Sequence, residues 1–503
     1  MYVEKKNTYH NHYISKNFIS KGMMCMYYKV LAIFLAFSFL IVSLSIFNEK
    51  SHSSETIKYI YNNESIINKE DTLAPNIQNI SPTKCQQYVV GNPTIKINYN
   101  DESGIDLSSI KLFVNYNNIT NKCKVSNNEI SYTPDKKFKR GNQIVKLEIE
   151  DTSKNKTIFE WYFTVGTPVY THYYGLLHSH TSASDGHGTY DDAYYMARDK
   201  TNLDFFAITE HSNLLDNSLK CDIEDASSSS KWNELIKCRD KFTSNGEFIA
   251  LNGFEMTYPY NIENPIGHIN IFNSNGFVSA NHLNMNLDNF YKLISQQEDL
   301  IGQLNHPCDK FGKFNNLKYS LDGDEVISLI EVGNGYNSVL SKNIISHDMY
   351  QLALDNGWHV APSCNQDNHR VDFGVANEFR TVILSTDLTK DALYDSLKKM
   401  RVYATQDKNI KIDYTINNLP LGSTINTTSK LNFSICAIDN DLNDMIKEIQ
   451  VISNKGEVIK SKKFNSNLAK LDFVLKPIKN KFYYIKVIQH NNKISVTAPI
   501  WIK

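Results

Sequence analysis

The pattern of apolar and polar positions changes several times along the chain, and each change marks a segment. "VLAIFLAFSFLIVSLSIFN", Val30 to Asn48, carries no charge over nineteen positions, enough to span a bilayer as a helix. Lys5, Lys6, Lys16, Lys21 and Lys29 precede it, opposed only by Glu4. That bias keeps residues 1–29 in the cytoplasm and sends the rest outside. The run at 30–48 reads as an uncleaved transmembrane anchor, with a cleaved signal peptide and secretion as the alternative. Residues 49–71 are polar and read as a stalk. From Thr72 short alternating strands follow, among them "TIKINYN", "IKLFVNY", "QIVKLEIED" and "TIFEWYFTV". Turn residues separate them, which predicts an antiparallel β-sandwich over 72–168.

The rhythm differs between 169 and 409. Apolar runs such as "YYGLLHSH", "FFAITEH", "FIALNGFEMTY", "LIGQLNHP" and "VISLIEVGN" alternate with helical stretches such as "TYDDAYYMARDK" and "TKDALYDSLKKMR". Repeated strand–helix units predict a parallel sheet, open or closed into a barrel. From Ile410 to Lys503 strands return, in "IKIDYTI", "LNFSICAID" and "YYIKVIQ", predicting a second small β domain. The expected architecture is therefore multidomain, α/β plus all-β.

Composition narrows the class. With 503 residues, 41% hydrophobic and 21% charged, the chain is globular and too long for one core. A net charge of −1 with no long basic run gives no reason to expect nucleic acid. Eight cysteines do not make a disulfide scaffold, although Cys85 with Cys123, and Cys221 with Cys238, are candidate pairs.

The chemistry lies in the middle segment. Eleven of the fifteen histidines fall between His172 and His369. His178 and His180 end the first predicted strand, with Asp185 beyond. Glu210 and His211 end the second, and Glu255 the third. His306 follows the fifth, and Asp367 and His369 follow the seventh. In a barrel of strand–helix units, strand C-terminal ends share one face, so these residues converge. His268, at a strand start, fits that rule least well. Residues two apart on a strand share a side, so His178 and His180 reach one cation. Imidazole and carboxylate ligands suit Zn, Mn or Fe. Six histidines and three carboxylates imply two to three such ions. Glu255 is the expected bridge, because one carboxylate can neutralise two neighbouring cations. His172, His187, His282, His347 and His359 read as structural or surface residues, and Cys308 and Cys364 as packing. Arg401 and Arg380 are candidate cations for an anionic substrate, and Asn334 a candidate substrate or supporting group.

"HSHTSASDG", "ITEHS", "GFEMT", "GHINIF", "NHP" and "DNH", in this order, resemble the PHP (polymerase and histidinol phosphatase) superfamily. "RVYATQD" and the β-rich flanks are most similar to its carbaryl-hydrolase-like branch, and 72–168 resembles bacterial immunoglobulin-like modules. The resemblance implies a distorted (βα)7 barrel at 169–409 with a trinuclear centre. It implies one metal on His178, His180, Glu255 and Asp367, a second sharing Glu255 with His268 and His306, and a third on Asp185, His211 and His369. The motif that usually reads Asp-His is here Glu210-His211, so Glu210 is not counted as a ligand.

Glu255 and Asp367, as ligands holding a metal-activated hydroxide, would carry hydrolysis. The leading expectation is an extracellular, membrane-anchored phosphoesterase acting on a small-molecule or cell-envelope phosphoester. The alternatives are an amidase, carbamate or ester hydrolase on the same metals, and a non-catalytic surface binding protein.

Overall fold

The computed structural model describes residues 71–260, 262–335, 347–441 and 444–503. The apolar run at 30–48, the stalk and the cytoplasmic segment lie outside the described residues. Among the described residues, no helix is long and apolar enough to cross a membrane.

Residues 72–168 form two four-stranded sheets. Strand Gly141–Glu150 alternates between buried and half-buried positions from Asn142 onward, as one face of a packed sheet requires. Ile95, Ile97, Tyr99, Leu112, Val145, Leu147 and Trp161 fill the space between the sheets. Cys85, Cys123, Cys221 and Cys238 are all free thiols, which corrects both candidate disulfides. Cys221 sits against Ser228 Oγ and Cys238 against Asp191 Oδ2, so each sulfur has its own separate partner.

The middle segment is built on nine strands: β1 (Thr171–Leu176), β2 (Phe205–His211), β3 (Ile249–Thr257), β4 (His268–Phe272), β5 (Ile301–Asn305), β6 (Ile327–Gly333), β7 (Ala361–Cys364), β8 (Arg380–Ser385) and β9 (Val402–Thr405). Their order across the sheet is β7-β6-β5-β4-β3-β2-β1-β8-β9. The sheet then continues through Ile494–Thr497, Lys481–Gln489, Ile446–Ile452 and Val458–Ser466.

This is not a (βα)7 barrel. The protein is mostly β, with one large curled sheet and few helices. Only β1-β2-β3 and β5-β6-β7 pair in parallel. Strand β4 is antiparallel to both neighbours, and β8 is antiparallel to β1. The physical reason lies in the connection: residues 258–267 between β3 and β4 are too few for the crossover that a parallel pair needs. The sheet curls so that the chain after β7 meets the chain after β1. Leu177 N donates to Asn365 Oδ1 at 2.7 Å and His180 N to Asn368 O at 2.9 Å.

Both faces of this sheet are covered, so its strands are buried throughout rather than alternating. Phe206 and Ile208 enter one core, while Phe205 and Ala207 enter the other. Helices Tyr190–Tyr195, Ser230–Phe242, Leu287–Ser295 and Lys390–Lys398 start at Thr189, Ser229, Asn286 and Thr389, whose side chains cap free backbone amides.

Gly175 is the tightest point between β1 and β2. A Cβ there would meet the Phe205 carbonyl oxygen at 2.2 Å, and that atom is backbone. Gly175→Ala is therefore expected to destabilise the protein by about 1–3 kcal/mol, read as a lowered denaturant midpoint. An unchanged midpoint would show that the two strands are not held at this separation.

Candidate metal centre

Three layers of side chains stack along one face of β2–β6 because strand side chains repeat every second residue. The deepest layer is apolar: Ala207, Leu251, Phe272, Ile301 and Leu329. Asn270 and Gln303 follow, both fully buried. At the end come His211, Glu255, His268, Asn305 and Glu331. Register staggers them across the sheet: His211 pairs with Glu255 and His268 with Asn305, while Glu255 itself pairs with Asn270, two residues from His268 on β4. His268 opens its strand, yet lies at this end because β4 runs antiparallel. The remaining ligand candidates come from loops. Strand β1 stops at Leu176, so His178 and His180 lie beyond it rather than on one side of a strand. They still converge, with ring centroids 5.2 Å apart. His306 (φ 28°) and Asp367 (φ 47°) occupy the left-handed region that side chains rarely adopt, a strain that accumulates at functional sites.

All nine predicted ligands meet. The donor atoms of eight of them fall into three overlapping groups: His180, Asp185, His211 and His369; His178, Glu255 and His306; and His178, His180 and Asp367. His178 Nε2 lies 3.2 Å from both Glu255 Oε1 and Asp367 Oδ1, and His180 Nε2 lies 3.1 Å from Asp367 Oδ1. Glu255 also faces His211 Nδ1 at 2.5 Å, His268 Nδ1 at 3.4 Å and His306 Nε2 at 3.7 Å. Asp185 joins His211 Nε2 (3.4 Å) to His369 Nε2 (3.2 Å). Relative to the expected sets, His180 joins the Asp185 group, and His268 touches the centre through Glu255.

The donor set fits divalent metal. His178 Nε2, both His180 ring nitrogens, His268 Nε2 and His306 Nδ1 are buried without a hydrogen-bond partner. Such a concentration of orphaned polar atoms is costly unless something accepts their lone pairs. Electrostatics agree. Burial opposes the charged form of Glu255, yet His268 and His211 hold its carboxyl well below the usual range. Asp367 behaves likewise against burial, through His178 and His180. Burial opposes protonation of His211, but Glu255 and Asp185 raise it to about 10. His180 falls to about 3, through burial and the neighbouring His211.

A supporting rank holds these ligands, and sequence reasoning missed its principal member, Glu331. Glu331 Oε1 lies 3.2 Å from His178 Nδ1, and its Oε2 accepts from His306 N at 3.0 Å. A proton on Nδ1 leaves His178 Nε2 free to ligate. The signal was present in "IEVGN", where a lone carboxylate ends a buried strand. Asn334 donates to Glu331 Oε2 at 2.7 Å, which makes it a support. Glu210 is fully buried and takes Thr181 N at 2.9 Å and the hydroxyls of Thr181 and Ser184. It braces the loop that carries Asp185.

Arg401 is not in the site. Its guanidinium is buried and donates to the carbonyl oxygens of Lys399 and Leu421. Arg380 is likewise spent on the carbonyl of Phe379, at 2.6 Å. The lysine that does line the site cavity is Lys310, in a pocket of about 350 Å³ with Tyr260, Phe311 and several ligands. His282 Nε2 meets Ser218 O at 2.7 Å, and His359 Nδ1 meets Asp324 at 2.8 Å, both away from the centre.

No protein-family model matches the chain. An uncharacterized protein of Chlamydia pneumoniae is 27% identical over 138 residues, 24% of this chain and 22% of that protein. The chain thus spans about a fifth of that relative's length. Among solved structures, CopC from Methylosinus trichosporium aligns with 18% of this chain and 94% of its own, at 16% identity and TM-score 0.15. β-Glucuronidase 3 of Bacteroides uniformis aligns with 86% of this chain and 64% of its own, at 8% identity and TM-score 0.26.

Two outcomes follow from the geometry. Glu331→Gln removes the charge that orients His178 and is expected to weaken metal binding about 10–100-fold, measured by competition with a chromogenic chelator. Unaltered affinity would remove Glu331 from the supporting rank. In the metal-free protein, carboxylates keep His178, His211 and His369 protonated against the opposing effect of burial. A ligating imidazole must be neutral. Metal uptake at neutral pH should therefore expel about three protons and weaken as pH falls. Calorimetry in buffers of different ionisation enthalpy reads this, and uptake without proton release would contradict it.

Proposed function

We propose that this chain is a multinuclear metal-dependent hydrolase, and a phosphoesterase in particular. The observation that carries the proposal is the convergence of imidazoles on two carboxylates: Glu255 lies within 4 Å of five of them, and Asp367 within 4 Å of His178, His180, His306 and His369. Carboxylates surrounded in this way suit cations held close together. Two to three Mn, Zn or Fe ions would sit on His178, His180, Asp185, His211, Glu255, His268, His306, Asp367 and His369. Such ions lower the pKa of a coordinated water and neutralise charge on a phosphoryl group. The chain's own residues do the rest. Glu331 fixes the His178 tautomer, and Glu210 holds the Asp185 loop. The residues around Phe311 form one wall of the cavity beside the ligands. The motif order is read as a PHP-like ligand set mounted on a curled mixed sheet. With Val30–Asn48 read as an anchor, the site faces the cell exterior and meets small-molecule or envelope phosphoesters there.

The metal-loaded protein is expected to hydrolyse bis-p-nitrophenyl phosphate faster than a p-nitrophenyl ester or carbamate. The reverse preference would assign acyl rather than phosphoryl transfer. Glu255→Gln keeps the side-chain shape without the charge. It should lose more than one equivalent of metal, read by elemental analysis, and abolish turnover, whereas His282→Asn should leave both nearly unchanged. Full metal and near-normal turnover in Glu255→Gln would refute the shared-carboxylate arrangement.

A further inference from the structure

A second cluster of acids shares no residue with the imidazole centre and lies where the middle segment meets the C-terminal strands. Asp407 follows β9, Asp439 follows strand Leu431–Ile438, and Asp444 precedes strand Ile446–Ile452. Asp407 and Asp439 are fully buried, and one carboxylate oxygen from each of the three lies within 4.8 Å of the others. Each carboxylate is anchored by one oxygen. Asp407 Oδ1 accepts from Asn409 N at 2.9 Å and Ile410 N at 3.0 Å, Asp439 Oδ1 from Asp441 N at 2.8 Å, and Asp444 Oδ1 from Asn491 Nδ2 at 2.6 Å. The second oxygens face donors inside the cluster. Lys493 Nζ stands 2.8 Å from Asp407 Oδ2 and from Asp444 Oδ2, and 2.6 Å from Glu378 Oε2. One ammonium is thus shared among three carboxylates.

The independent mark of a ligand is Gln489, which ends strand Lys481–Gln489. Its Nε2 lies 2.7 Å from Asp439 Oδ2, 3.1 Å from the Asp444 carbonyl oxygen and 3.5 Å from Asp407 Oδ2. The side chain is fully buried, yet Oε1 of the same amide has no hydrogen-bond partner. A buried carbonyl oxygen without a donor is costly. Turning the amide about its last bond brings Oε1 toward the same three oxygens, which repel it unless a cation stands between them.

We propose that Asp407, Asp439, Asp444 and Gln489 form a calcium site that fastens the C-terminal strands to the middle segment. The donors are all oxygens, from carboxylates, a side-chain amide and the Asp444 carbonyl, which is the set a hard cation takes. Zinc and its neighbours prefer the imidazoles of the other centre. Lys493 holds the place of the ion when calcium is absent. On binding, Ca²⁺ takes the inner oxygens, and the ammonium withdraws while staying paired with the half-exposed Glu378. A divalent ion balances three buried aspartates better than one shared ammonium does. This assignment is independent of the hydrolase reading.

The test titrates calcium chloride by calorimetry into protein whose imidazole centre is already filled with zinc. One further binding event is expected, with Kd of about 10⁻⁴–10⁻³ M, at unchanged zinc content and with a raised denaturant midpoint. Magnesium chloride should bind about tenfold more weakly or less, because Mg²⁺ demands a tight octahedron and dehydrates reluctantly. Asp439→Asn keeps the shape and removes a charge, and Gln489→Leu removes the amide. Each should weaken calcium binding about tenfold or more and leave zinc content unchanged. Lys493→Met acts in the opposite sense. It removes the competing ammonium, so calcium should bind several-fold more tightly, and calcium should restore the denaturant midpoint that the variant loses. A cluster that serves only to pair with Lys493 gives the reverse, a destabilised Lys493→Met that calcium does not rescue, and that result would overturn the site. No calcium uptake by the wild type would overturn it too, as would uptake that Asp439→Asn and Gln489→Leu leave unaltered. Equal affinity for magnesium would overturn the assignment to calcium.

Discussion

One fully buried carboxylate organises the centre of this protein. Glu255 is inaccessible to solvent, and its oxygens lie within 4 Å of five imidazoles: His178, His180, His211, His268 and His306. Burying such a charge is tolerable only if opposite charge surrounds it. In the metal-free state protonated histidines supply that charge. In the loaded state cations would supply it instead, and the imidazoles would become neutral ligands. The same residue is thus held by either form of positive charge. Metal and protons would then compete for one site.

Holding that carboxylate in place is a task for the sheet. β3 carries Glu255, β2 sets His211 directly beside it, and β4 and β5 add the His268–Asn305 pair one step further along the same end of the sheet. Asn305 Nδ2 reaches Glu255 Oε1 at 2.8 Å, and Asn365 Nδ2 reaches Glu331 Oε1 at 3.0 Å. These amides link the apolar layer below to the charged layer above. Fully satisfied buried networks of this kind rigidify a site. The ligand candidates that lie on loops are tied down as well. His180 N bonds to Asn368 O, and His187 N to His369 O, both about 3 Å. The loop of the first motif and the loop of the last thus hold each other.

Part of this was legible in the chain. The histidines and acids that meet in space were identifiable because each follows or opens a short apolar run, and strand ends are where side chains can converge without being buried among hydrocarbon. Residues 72–168 and 410–503 announced their strands through two-residue alternation. The parallel barrel was misread for a related reason. An apolar run buried on both faces loses its alternation and looks the same in a parallel or an antiparallel pair. The short link between Thr257 and His268 was the available clue, because ten residues cannot carry a chain back for a parallel strand. His268, the residue that fitted the barrel least well, was pointing to the same fact.

What the sequence determined by itself is a set of candidate donors: nine nitrogen- and oxygen-bearing side chains near the ends of apolar runs, and no competing nucleophile elbow. Those identities are local and survive any rearrangement of strands. Tertiary structure alone decided strand direction, the supporting role of Glu331, and which cation faces the cavity. Arg401 and Lys310 look alike in sequence, as basic residues beside site motifs. Only the fold turns one guanidinium into backbone carbonyls and leaves the other ammonium over the Phe311 ring, because the direction of a long side chain is set by what packs around its stem.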